Sequence, residues 1–222
     1  MITVHHLNNS RSQRILWLLE ELGLDYEIKF YQRGPDMRAP ASLRSIHPLG
    51  KSPIITDGAN TIAESGAIIS YLVDGYGEGR LIPPPGTPAR LQYTYWMHYA
   101  EGSLMPPLLM GLIASRIAGP QVPWYARPIA RGIANSLRDR FIAPELKLHF
   151  DFLEGTLANR AWFTGDAFTA ADVQMSFPLE AAATRAGLEP GRPKLADWLA
   201  RIHARPAYQR ALEKGGRYEL LK

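Results

Sequence analysis

The chain has 222 residues, 46% of them hydrophobic and 21% charged, with a formal net charge of +4 and no cysteine. That length supports one large or two small cores, and the missing thiol excludes disulfide staples, thiolate metal sites and a cysteine nucleophile belonging to the protein. No apolar run approaches the ~20 residues that span a bilayer, and the start Met1-Ile2-Thr3-Val4-His5-His6 has no signal-peptide pattern, so a soluble cytoplasmic protein with no membrane partner is expected. Residues 3–7 read as a strand, after which Ile15, Leu18, Leu19 and Leu22 recur at helical spacing until Gly23. Tyr26, Ile28 and Phe30 then alternate with Glu27 and Lys29, which predicts a strand with one buried face.

Residues 41–45 suggest a short helix. Residues 54–56 and 61–63 suggest two strands around Asp57-Gly58-Ala59-Asn60, and residues 66–73 a further helix. The order β-α-β-α-β-β-α is that of a thioredoxin-like α/β domain. Between residues 80 and 88 four prolines fall in six positions, Pro83, Pro84, Pro85 and Pro88, which neither continue a helix nor pair in a sheet. The expected division is therefore a first domain over 1–79, a linker over 80–88 and a second domain over 89–222. Beyond the linker nothing alternates like a strand. Residues 91–105, 108–118, 128–155, 170–186 and 195–204 read as helices of an all-α domain, with Pro106-Pro107 kinking or interrupting the first of them. Phe168-Thr169-Ala170-Ala171-Asp172-Val173 holds a capping box closed by Asp in place of Glu, a folding device rather than a catalytic pair.

The basic cluster Arg127, Arg131, Arg138 and Arg140 lacks interleaved stacking aromatics and reads as a solvated face, so no nucleic-acid partner is expected. The six histidines show no metal-ligand spacing, and His5 and His6, adjacent on a strand, point to opposite faces, so no metal is expected. The stretch Gly50-Lys51-Ser52-Pro53-Ile54-Ile55 carries more information. Pro53 supplies no N–H and tolerates a cis bond, which suits it to present the backbone of Ser52 to an extended peptide. Glu64-Ser65 stands at the mouth of a helix, where free amides favour a carboxylate: Glu64 matches an amine and Ser65 an acid.

Taken together these residues resemble the glutathione S-transferases over the whole chain. The likeness implies a thioredoxin-like domain followed by an all-helical one, the glutathione S-transferase fold. Gly50-Lys51-Ser52-Pro53 is similar to the family's cis-proline loop and Glu64-Ser65 to its γ-glutamyl site, while Thr169 to Asp172 is similar to its buried helix cap. Lys51, Ser52, Pro53, Glu64 and Ser65 are then the expected glutathione-binding residues, with Lys51 either at the glycyl carboxylate or a solvated loop lysine. The loop Asn8-Asn9-Ser10-Arg11-Ser12-Gln13-Arg14 is similar to the catalytic loop of serine-type members. Aligning Arg14 with the arginine that opens their first helix places Ser10 at the catalytic hydroxyl, with Ser12 or Asn9 as alternatives in a shifted loop.

The resemblance also implies glutathione as co-substrate, a small apolar electrophile as second substrate, a role in detoxification and a homodimer. Tyr99 and Met105, on a helix that borders the family's second-substrate pocket, are the expected contacts with the electrophile. Glu101 is placed where it could reach a partner's glutathione. Two other readings stay open at this point: a disulfide reductase or peroxidase using two glutathione molecules, and a non-catalytic glutathione-binding scaffold.

Overall fold

A computed structural model describes residues 1–34, 36, 38–117, 119–120, 122–188 and 191–220. The first strand, β1 (Ile2–Leu7), runs into α1 (Ser12–Leu22), and β2 (Tyr26–Tyr31) returns parallel to β1, with Val4 opposite Ile28. A short 3₁₀ turn (Ala41–Ser45) precedes β3 (Ile54–Asp57), β4 (Asn60–Ala63) and α2 (Ser65–Tyr76). The four strands form one sheet in the order β2-β1-β3-β4, with β3 antiparallel to both of its neighbours. This is the expected thioredoxin-like order. Gly23 ends α1 at φ 69°, a left-handed conformation that costs glycine little.

One strand differs from its expected burial. Phe30, near the end of the edge strand β2, is 61% exposed. The ring instead meets His6 edge-on at 5.7 Å.

The helical part comprises α3 (Pro88–Tyr99), α4 (Met105–Ile117), α5 (Arg127–Leu137), α6 (Ala143–Leu157), α7 (Ala170–Arg185), α8 (Pro193–His203) and α9 (Pro206–Gly215). The expected helix over 108–118 merges into α4, and its last residue, Ala118, lies outside the described residues. The interruption expected at Pro106-Pro107 sits one turn earlier, as a π-helical segment, Ala100–Leu104, that joins α3 to α4. Proline has no N–H to give the carbonyls four residues before it, so the chain widens there, and the Met105 N–H reaches back to the Ala100 carbonyl. Pro144 follows a second such segment, Arg138–Ile142, which joins α5 to α6.

The helix α9 has no counterpart in the periodicity reading. It packs along α1, and Gly215 approaches so closely that a Cβ there would lie 2.6 Å from the Gln13 side-chain oxygen and 2.8 Å from Leu16. Glu20 on α1 accepts from Arg210 (2.8 Å) and Lys214 (2.5 Å) of α9, and Glu21 accepts from Arg205 (2.5 Å). Among the described residues the larger hydrophobic core runs from Ile2 and Val4 through α1 and α2 into Trp96, Phe163, Trp198 and Ala211, and a smaller cluster gathers Phe177, Ala181, Tyr218 and Leu220. The capping box is closed as expected: the Asp172 carboxylate accepts from the Thr169 N–H (3.0 Å), the Phe163 N–H (3.1 Å) and the Trp198 indole (3.1 Å).

Candidate functional site

The loop between β1 and α1 turns through Asn9, at φ 51°, and delivers Ser10 and Ser12 to the buried face of the sheet. Ser12 is the deeper of the two. Its hydroxyl accepts from the Leu7 N–H (3.3 Å) and lies 2.9 Å from His6 Nδ1. Ser10 Oγ lies 2.8 Å from Ser12 Oγ and 3.1 Å from Ser52 Oγ. It also accepts the Ser12 N–H at 3.2 Å, and its own proton has the Ser12 or Ser52 oxygen within reach. The hydroxyls of Ser52, Ser10 and Ser12 thus form a chain that ends on His6. Burial pushes the His6 imidazolium down to about 4, against a hydrogen bond to the Gly215 carbonyl, so the ring is neutral at physiological pH.

Ser52 is joined to Pro53 by a cis peptide bond and lines a cleft of about 220 Å³. Lys51, Pro53, Glu64 and Ser65 line the same cleft, so the five expected binding residues are brought together. Gly50 turns the loop toward it at φ 56°, where a Cβ would lie 2.6 Å from Arg44 Cγ. Glu64 caps α2 with its carbonyl and holds φ 71°, a strained conformation for a residue with a side chain, of the kind that collects at functional sites. Behind it the Ser65 hydroxyl is buried and has no hydrogen-bond partner among the described residues, at a helix N-terminus, where the first amides lack intrahelical partners. His47 lines the cleft as well, and its Nδ1 is also buried without a partner.

The cleft has a wall that the sequence did not single out. Arg11 lines it and donates from Nε to both Glu101 oxygens, at 2.9 and 3.1 Å, while Arg14 donates to Glu101 at 2.5 Å and to the Gln174 carbonyl at 2.6 Å. Burial works against the Glu101 carboxylate, but the charges of Arg14 and Arg11 outweigh it and hold the group below the usual carboxylate range. Glu101 thus pairs with its own chain's arginines while lining the cleft. It is the π-helical segment that sets it on this side of the helix pair. Arg11 also lies over the Phe177 ring, 4.9 Å from its centroid. No sequence pattern marks Arg11, His47 or Phe177, since each joins the site only through tertiary packing.

The remaining expected residues go elsewhere. The Asn9 side chain turns away from the cleft and accepts the Glu219 N–H at 2.9 Å. Tyr99 is buried among Tyr95, Trp96 and Phe152 and bonds His149 at 2.5 Å, so it does not line the cavity that Met105 lines. Met105 lines a larger cavity, about 710 Å³, between α4, α6 and α7, and Phe177 forms part of its wall. The Arg11–Phe177 contact is thus the partition between cleft and cavity. Among the described residues no cluster of His, Asp and Glu could hold a metal ion, and no helix is long and apolar enough to cross a membrane.

Two family models match the chain, glutathione S-transferase N-terminal domain over residues 1–74 and glutathione S-transferase C-terminal domain over residues 143–206. Glutathione S-transferase 3 of Schizosaccharomyces pombe is 40% identical over 215 residues, covering 96% of this chain and 88% of that protein. Glutathione S-transferase 1 of Saccharomyces cerevisiae is 35% identical over 222 residues, covering 96% and 95% respectively. A crystal structure of a glutathione S-transferase from Actinobacillus pleuropneumoniae matches with a TM-score of 0.81 at 34% identity, covering 99% of this chain and 95% of that one. The fold, the cleft and these likenesses agree: the chain belongs to the glutathione S-transferase family.

Proposed function

We propose that the protein is a glutathione transferase that binds glutathione in the cleft of Lys51, Ser52, Pro53, Glu64 and Ser65 and activates its thiol through Ser10. The observation that carries this reading is the buried, unpartnered hydroxyl of Ser65 beside the strained Glu64, at the N-terminus of α2. A buried hydroxyl without a partner costs about 1–3 kcal/mol, and a carboxylate placed there satisfies it together with the open helix amides. Glu64 takes the γ-glutamyl amine, Ser65 the adjoining carboxylate, the Ser52 backbone the cysteinyl unit and Lys51 the glycyl carboxylate. The names of the relatives support glutathione as the ligand.

The cysteinyl sulfur then lies near Ser52, on the side from which Ser10 is reached. A free thiol titrates near 8.5 and is the weaker nucleophile; each unit of lowering takes about 1.4 kcal/mol of preferential interaction with the thiolate. One donated hydrogen bond to an anion, about 1.5–3 kcal/mol, covers one to two units. The thiolate attacks an electrophile with an apolar body held in the adjoining cavity. The same family resemblance supports a homodimer in the cytoplasm and a role in detoxification.

Titration calorimetry with glutathione on Ser65→Ala tests the binding half of this reading. Affinity is expected to fall on the order of 10-fold, with no loss of thermal stability because the hydroxyl has no protein partner to lose. Unchanged affinity would place the anion elsewhere.

A further inference from the structure

We infer that the second substrate is an apolar compound carrying an anionic group, such as a carboxylate or sulfonate, because the cavity beside the glutathione cleft is an oily chamber rimmed by cations. Its walls are Met105, Leu108, Leu112, Ile142, Leu146 and Phe150, and its rim holds Arg138, Lys147, Arg185 and Arg192. Among the described residues no Asp or Glu lines it. One carboxylate, Asp151, is shared between Lys147 (2.5 Å) and Arg192 (2.8 Å), while Arg138 donates to the neutral side chain of Asn135. Arg192 also lies over the Phe150 ring at 5.3 Å, and among the described residues its buried Nε has no partner.

A chamber with low-dielectric walls and one sign of charge concentrates ligands of the other sign. A neutral hydrocarbon would gain nothing from that rim. An amphipathic anion uses both halves of the site, with its apolar body on the leucines and its charge on the arginines.

The inference depends on the transferase reading only for the position of the sulfur, and two matched probe pairs keep the two claims separable. The reactive pair is 1-chloro-2,4-dinitrobenzene and 4-chloro-3,5-dinitrobenzoate. In each the thiolate bonds to the ring carbon that bears chlorine, chloride leaves with the bonding pair and the thiol proton passes to solvent. After division by the uncatalysed rate, kcat/KM is expected to favour the benzoate, and that preference to shrink in 0.5 M salt, where the screening length is only a few ångströms. The preference is expected to fall on the order of 5- to 10-fold in Arg138→Gln/Arg185→Gln, both exposed positions that tolerate substitution.

The unreactive pair is N-phenyl-1-naphthylamine and its 8-sulfonate, followed by fluorescence. The sulfonate should bind more tightly, and the double variant should lose that margin. If neither chlorobenzene turns over while the sulfonate keeps its advantage, the transferase reading fails and the anion-binding cavity stands. Equal binding of the two naphthylamines, or a sulfonate margin that the double variant leaves intact, overturns the inference even when the chlorobenzenes are turned over.

Discussion

Ser10 and Ser12 are two residues apart and chemically identical, yet their surroundings divide the work. Ser12 is anchored on three sides by Leu7, His6 and Ser10, well inside the loop. Ser10 touches Ser52, the residue that lines the cleft. Replacing Ser12 by alanine strands the Leu7 amide in a buried setting, at a cost of about 1–3 kcal/mol. Urea unfolding of Ser12→Ala should show a lowered midpoint at unchanged slope; wild-type stability would mean that the loop is anchored in some other way. At this scale the motif residues were legible in the sequence because each sits on a local signal, a proline loop or a helix mouth. Arg11 and Phe177 were not, because their place depends on contacts between distant segments, Arg11 with Glu101 90 positions away and with Phe177 on α7, and His47 joins the cleft only once the chain is folded. Tyr99 shows the opposite failure: helical spacing put it on one face with Met105, but the face is wide, and Tyr99 lies on the side that meets α6.

Among the elements, the two π-helical segments are where local pattern and tertiary need diverge. Pro106 and Pro107 signalled a disturbance, whereas residues 128–155 read as one helix through Pro144; the structure widens a turn ahead of each site, so that the long helices stay continuous. The helix α9 escaped notice because its moment is carried by few apolar residues, Ala207, Tyr208 and Ala211, with ion pairs to α1 holding the rest. The cap of α7 was readable in full, and its buried carboxylate gives a pH signature. Burial pushes the Asp172 carboxyl up to about 6, against the four hydrogen bonds it accepts from Phe163, Thr169 and Trp198. An unfolded aspartate titrates near ~3.9, so between about pH 4 and 6 the folded chain holds a proton that the unfolded chain has released, and this group's contribution to stability falls as pH rises. His6 runs the other way, gaining stability as pH rises toward 6.5, but it is common to wild type and Asp172→Asn and cancels in their difference. The Tm gap between those two proteins should therefore narrow from pH 4.5 to pH 7, and a constant gap would contradict the buried-carboxylate account.

At the level of the molecule, the proline-rich linker marks a change of architecture without separating two cores. The α1 helix lies between the sheet and the second set of helices, and Arg14 reaches from it to Gln174 on α7 and Glu101 before α4. A shared core and buried arginine struts predict one cooperative unfolding event. Calorimetry should show a single transition with matching calorimetric and van't Hoff enthalpies; two resolved transitions would mean that the domains fold independently. The same joining of domains builds the site, because the cleft takes one wall from each and the apolar cavity opens beyond the Arg11–Phe177 partition. What the fold cannot supply by itself is an activated sulfur, and the proposed mechanism assigns that task to the hydroxyl of Ser10. The ultraviolet absorbance of the thiolate of bound glutathione, followed against pH in wild type and in Ser10→Ala, addresses this directly. The midpoint in wild type should lie one to two units below the ~8.5 of a free thiol and return toward it in Ser10→Ala; an identical titration in the two proteins would mean that Ser10 does not hold the thiolate.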